Sequence, residues 1–106
     1  MAGLSQPGTE RKLRRYKDAL SRHLPILRKQ FQVRYLGVFG SYVHGTPRRN
    51  SDLDILVDFV DAPSLFEFIE LENYLSALLG VKVDLVMKDT LKPLIGRRIL
   101  SEVVGL

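Results

Sequence analysis

Asp52 and Asp54, two residues apart, and Asp84, thirty residues on, are the side chains of this 106-residue sequence best placed to do chemistry. At the start of an apolar run, Asp52 and Asp54 project from one face of a strand, about 6.5 Å apart along the backbone. Asp84 occupies the polar side of an alternating segment expected to lie beside that strand. Three carboxylates this close repel one another and stay ionised together only if a cation neutralises them. Oxygen donors without His or Cys favour Mg²⁺, or Mn²⁺, over zinc. Two such ions about 3.5–4 Å apart stabilise the attacking and leaving oxygens in phosphoryl or nucleotidyl transfer. Gly40 and Ser41 precede Asp52 by a ten-residue interval and suit the anionic half of such a site. A glycine ending a strand lets the backbone approach a phosphate, and a following helical turn, Ser41 to His44, aims free N–H groups at it. The Ser41 hydroxyl adds a hydrogen bond, and Arg48 and Arg49 in the intervening loop can close over a polyphosphate.

Each feature alone has a plainer reading. Gly-Ser after a strand is an ordinary turn, and Asp-x-Asp is commonly a solvent-facing pair or an Asx-turn helped by Asn50 and Ser51. Asp84 can be a surface residue of an alternating strand. His44 reads as a turn residue rather than a metal ligand, and His23 has a weaker case still. The combination in one strand order is what points to a site.

The elements that must position these residues follow in order. Met1 to Gly8 is small and polar and is expected to be disordered, leaving residues 9–106 as one domain. A helix starts at Thr9 with Leu13, Tyr16, Leu20 and Leu24 on one face, and Pro25 is expected to break or restart it. Val33 to Phe39 is a strand stopped at Gly40, Thr46 to Ser51 a loop, and Leu53 to Phe59 a second strand buried on both faces. Ser64 caps a helix whose stripe is Leu65, Phe68, Ile69, Leu71, Leu75, Leu78 and Leu79, ending at Gly80. Val81 to Met87 alternates as a third strand, and Lys92 to Val104 closes with a helix. The second strand, helix and third strand form a right-handed βαβ unit with parallel strands, to which the first strand adds antiparallel. The fold class is therefore α/β (α+β): a small mixed sheet of three or four strands packed with helices.

Composition narrows the setting. A 45% hydrophobic chain of this length buries one small core. The absence of cysteine excludes a disulfide framework and a thiolate metal site, and makes a cytoplasmic setting the expectation. No apolar run approaches the roughly 20 residues of a membrane span. The net charge of +4 hides a division: residues 1–50 hold 11 Lys or Arg against 2 acids, residues 51–106 hold 5 against 10. A basic half suits an anionic partner, or is simply solvated.

Gly40-Ser41, ten residues, then Asp52-Leu53-Asp54, with Asp84 following, resembles the signature of the polymerase-β-like nucleotidyltransferase superfamily. Within it the chain is most similar to the minimal nucleotidyltransferases, the MntA-type antitoxins encoded beside HEPN-domain toxins. Leu24-Pro25-Ile26-Leu27-Arg28, Leu36-Gly37-Val38-Phe39-Gly40-Ser41, Val83-Asp84-Leu85-Val86, and Leu91-Lys92-Pro93 followed by Arg97-Arg98-Ile99-Leu100 carry that likeness. It departs from the group at His44, where arginine is frequent, and at Val104-Gly105-Leu106, where an aromatic is common. The resemblance implies a nucleotidyltransferase fold and transfer of AMP from ATP, with Mg²⁺, to a protein hydroxyl, a tyrosine of a cognate HEPN toxin. Asp52, Asp54 and Asp84 would hold the metals, with Asp84 helping to activate the hydroxyl. Gly40 and Ser41 would hold the triphosphate. Three other readings stand beside it: a small-molecule adenylyltransferase, which normally needs an added acceptor domain; an antitoxin acting by contact alone; and a nucleic-acid module using Arg11 to Arg34. The last ranks lowest, because that segment has no pattern of stacking aromatics.

Overall fold

The computed structural model describes residues 7–40, 52–90, 96, 99–100 and 103–106. Helix α1 is Pro7–Phe31, followed by β1 Val33–Phe39 and β2 Leu53–Phe59; α2 is Leu65–Leu79, β3 is Val83–Met87 with a 3₁₀ turn Lys88–Thr90, and β4 is Val104–Gly105. The sheet order is β3-β2-β1-β4. β1 pairs antiparallel with β2 and β4, and β2 pairs parallel with β3. A fourth strand therefore completes the sheet. Its two residues oppose Gly37 and Val38.

The apolar alternation of the strands fixes which face is covered. Leu53, Ile55, Val57 and Phe59 of β2 join Val33, Leu36 and Val38 of β1 and Val83 and Leu85 of β3 in one buried cluster with Leu20, Leu27, Leu71 and Leu75 of the two helices. Both helices thus lie on one face. Asp54, Leu56 and Asp58 alternate with the core residues and belong to the other face, where Leu56 is also fully buried. That is the burial on both faces expected of β2.

α2 follows its local signals closely. Ser64 accepts from Glu67 N–H at 3.2 Å while Ser64 N–H donates to Glu67 Oε1 at 3.1 Å, a complete capping box. Gly80 closes the helix with φ +68°, its N–H donating to the Ser76 carbonyl. The expected stripe is too wide, however. Leu71 and Leu75 are buried, but Leu65 is 71% exposed and Ile69 44% exposed. At about 100° per residue, Ile69 lies roughly 120° around the helix from Leu75, beyond the reach of the sheet.

Four further expectations are corrected. Pro7 and Gly8, assigned by sequence to a disordered start, are helical; Pro7 opens α1, where a proline's fixed φ suits the first turn. Met1 to Gln6 lie outside the described residues. Pro25 does not interrupt α1. It faces solvent while Leu20 and Leu27, on either side, are fully buried, and that burial offsets the lost backbone hydrogen bond. The closing helix, of which Gly96, Ile99 and Leu100 are described, ends before Val104, which belongs to β4. The third strand begins at Val83, two residues later than expected.

Pro25→Ala restores an amide donor inside α1 and is expected to raise the unfolding free energy by about 1 kcal/mol or more. Urea denaturation of the two proteins measures it, and an unchanged midpoint would show that α1 is already bent to suit the proline.

Candidate functional site

β2 and β3 run parallel in a register that sets Asp54 directly beside Asp84. Both lie near the strand starts on the face the helices leave open. The two carboxyl groups are hydrogen-bonded, and Asp52 adds its charge from the residue before the strand. Burial first, then the charge of Asp84 and the bond to it, then Asp52, push the Asp54 pKa from 3.8 up to about 6. Asp52 points elsewhere: its Oδ2 is 4.0 Å from the Lys82 Nζ. The crowding thus shows as an Asp54 that gives up its proton late and as a lysine beside Asp52.

Among the described residues no three His, Cys, Asp or Glu side chains converge closely enough to ligate one ion. The expected triad is brought to one strand end, with two members in contact and the third turned toward Lys82. Oxygen donors crowded together with little positive charge beside them fit a hard dication, which would lower the Asp54 pKa again and draw Asp52 inward.

Gly40 belongs to the same arrangement. Its φ is +81°, and a Cβ placed on it would collide with the Asp54 carboxylate, meeting Oδ2 and coming within 2.9 Å of Cγ. Glycine is required twice over, by the left-handed backbone and by the carboxylate lying against its Cα. Phe39 opposes Asp54 in the β1–β2 register, which puts the end of β1 beside the acids. Ser41, His44, Arg48 and Arg49 lie outside the described residues.

The support behind Asp84 was not visible in the sequence. β3 is an edge strand, and the outward amides on either side of Asp84 are taken by α2: Val83 N–H donates to Ser76 Oγ and Leu85 N–H to Glu72 Oε2, each at 3.0 Å. Glu72 and Ser76 stand four apart on α2, so one helix face clamps both ends of the short segment that carries Asp84. Lys82, adjacent to the strand, was likewise missed; its signal was a lone cation two residues before the third aspartate.

The nucleotidyltransferase domain model matches residues 20–106. The protein adenylyltransferase MntA of Thermococcus cleftensis is 55% identical over 92 residues, spanning 87% of this chain and 93% of the relative. A solved minimal nucleotidyltransferase superposes with a TM-score of 0.72 at 31% identity, over 100% of both chains. A toxin–antitoxin complex with AMP-PNP gives 0.63 at 27% identity, over 91% of this chain and 70% of that one.

Two outcomes test this geometry. Because the folded pKa of Asp54 lies above its unfolded value, the folded state holds the extra proton between about pH 4 and 6, and the contribution to stability is lost as pH rises through 6. Asp54→Asn, in chelator-treated buffer, is therefore expected to be more stable than the parent at pH 7.5, the difference shrinking as pH falls toward 4; a pH-independent difference refutes it. Glu72→Ala leaves the Leu85 amide without its acceptor and is expected to cost about 1–3 kcal/mol. Hydrogen exchange at Leu85 should accelerate in that variant and return toward the parent rate in Glu72→Gln.

Proposed function

This chain belongs to the nucleotidyltransferase domain family, and we propose that it transfers AMP from ATP to a hydroxyl of a partner protein, a tyrosine of a cognate HEPN-domain toxin, and so acts as an antitoxin. The observation that carries the reading is the parallel register that seats Asp54 beside Asp84 with Gly40 pressed against Asp54. Likeness to an adenylyltransferase and to a chain of a toxin–antitoxin structure solved with AMP-PNP supports it.

Asp52, Asp54 and Asp84 are the metal-holding residues of this proposal, for two Mg²⁺ ions or Mn²⁺ in their place. Bound there, the ions neutralise the triphosphate and stabilise the attacking and leaving oxygens. Gly40 and Ser41 hold the triphosphate at the end of β1, and Arg48 and Arg49 close over it. Asp84, the more exposed of the strand acids, takes part in removing the proton of the incoming hydroxyl. That oxygen bonds to the α-phosphorus as the bond to the bridging oxygen breaks, and pyrophosphate leaves with the displaced electron pair. Proton and metal compete for Asp54, so at limiting Mg²⁺ activity is expected to fall as pH drops toward 6, and saturating Mg²⁺ is expected to restore it.

The test is transfer of label from ATP radioactive at the α-phosphate, with Mg²⁺, onto the purified product of the neighbouring gene, the HEPN-domain partner this reading requires. Label is expected with the intact chain and not with the Asp52→Asn, Asp54→Asn double variant. A tight complex that acquires no label would replace catalysis with neutralisation by contact.

A further inference from the structure

α1 carries eight Lys or Arg against two acids in 25 residues, and five of those cations, Arg11, Lys12, Arg14, Arg15 and Lys17, fall within seven positions. At about 100° per residue, Arg14, Arg11, Arg15 and Lys12 sweep roughly 160° of the helix surface, opposite Leu13 and Leu20. All four are exposed. Among the described residues no hydrogen bond or ion pair engages them, and the nearby Asp18 is taken by Arg22 at 3.5 Å. A helix kept merely soluble interleaves opposite charges three and four residues apart; this one stacks like charges at Arg11/Arg14, Arg11/Arg15 and Arg14/Lys17, spacings that oppose helix formation. The self-repulsion is relieved when an anionic surface covers the ridge.

Its position says which process it serves. α1 is about 37 Å long at ~1.5 Å per residue, whereas β1, against which it runs back, spans about 23 Å at ~3.3 Å per residue. α1 meets β1 at the Phe31–Val33 turn, so the excess length projects past the Gly40 end of the sheet, consistent with a molecule 43 Å in its longest dimension. Lys12 and Arg15 line a groove of about 520 Å³ with Leu78, Leu79 and Gly80, at the end of α2 that leads into β3 and the carboxylates. On the other shoulder Arg14 and Lys17 line a groove of about 680 Å³ with Leu13 and Leu106.

We infer that this ridge, at the carboxylate end of the fold but on the helix side of the sheet, docks an acidic face of the protein that receives the nucleotide. The identity of that acceptor rests on the nucleotidyl-transfer reading; the ridge itself does not. Grooves floored by leucines on both sides suit side chains of a folded acidic surface. A single phosphodiester strand would want exposed aromatics for stacking, and the one aromatic lining these grooves among the described residues, Tyr16, is half-buried.

The test replaces Arg11, Arg14 and Arg15 by Glu, with Arg28→Glu, Lys29→Glu at the far end of α1 as the charge-reversal control and circular dichroism as the check on folding. Affinity for the HEPN-domain protein is measured by titration without ATP over a range of salt, and AMP transfer is measured separately. The triple variant is expected to lose at least tenfold in affinity at low salt, flatten the salt dependence and raise the acceptor KM, with kcat and the ATP KM unchanged. The control is expected to lose less than twofold. Unchanged acceptor affinity, a rise confined to the ATP KM, or loss of binding only to a single-stranded RNA oligonucleotide would each overturn the inference. Should the triple variant misfold, Arg11→Gln with Arg15→Gln gives the same readings on a smaller scale. Absence of AMP transfer by the parent would sink the catalytic reading while leaving the titration to decide the ridge.

Discussion

Two carboxylates held side by side by a parallel strand pair are the constraint to which the rest of this structure answers. The register that puts Asp54 against Asp84 is set by the burial of Leu53, Ile55, Val57, Val83 and Leu85 beneath the helices, since slipping either strand by one residue would turn those side chains outward. Core packing thus enforces an electrostatic clash at its own rim. Burial and this clash push the Asp54 pKa up to about 6, and among the described residues only the exposed Lys82 stands near Asp52, so the strand ends carry carboxylates short of positive charge.

What surrounds the pair serves to hold it still. Gly40 admits the Asp54 carboxylate against the backbone, and α2 reaches across to the free edge of β3 through Glu72 and Ser76. α2 therefore has two duties. Leu71 and Leu75 bury its inner face, while side chains one position further on secure the strand that bears Asp84. An acid at an edge strand would otherwise sit on the least restrained part of a sheet.

The first two strands, the βαβ unit and the caps of α2 were legible in the sequence because local pattern and tertiary demand agree there. Where they conflict, local reading failed. Pro25 is a helix breaker by itself and is overruled by Leu20 and Leu27. The two residues of β4 carry too little pattern to announce a strand, and they become one only through Gly37 and Val38, some 66 positions earlier in the chain. The three aspartates were legible as candidates because strand order alone brings them to one end. The partners that orient them, Lys82, Glu72 and Ser76, depend on how a helix lies over an edge, which spacing does not encode. The proposed phosphate contacts Ser41, Arg48 and Arg49 belong to the segment outside the described residues.

The clamp on β3 also bears on how this protein meets others. A sheet with a bare rim recruits partners by lending its unpaired amides to a foreign strand. Here the Val83 and Leu85 amides are already spoken for by α2, and the opposite rim is the two-residue β4. With strand addition closed off at β3 and scarcely offered at β4, recognition is left to side chains, whose identity can diverge between related pairs while the backbone stays fixed. A small enzyme built this way keeps its chemistry common to the family and its choice of partner private.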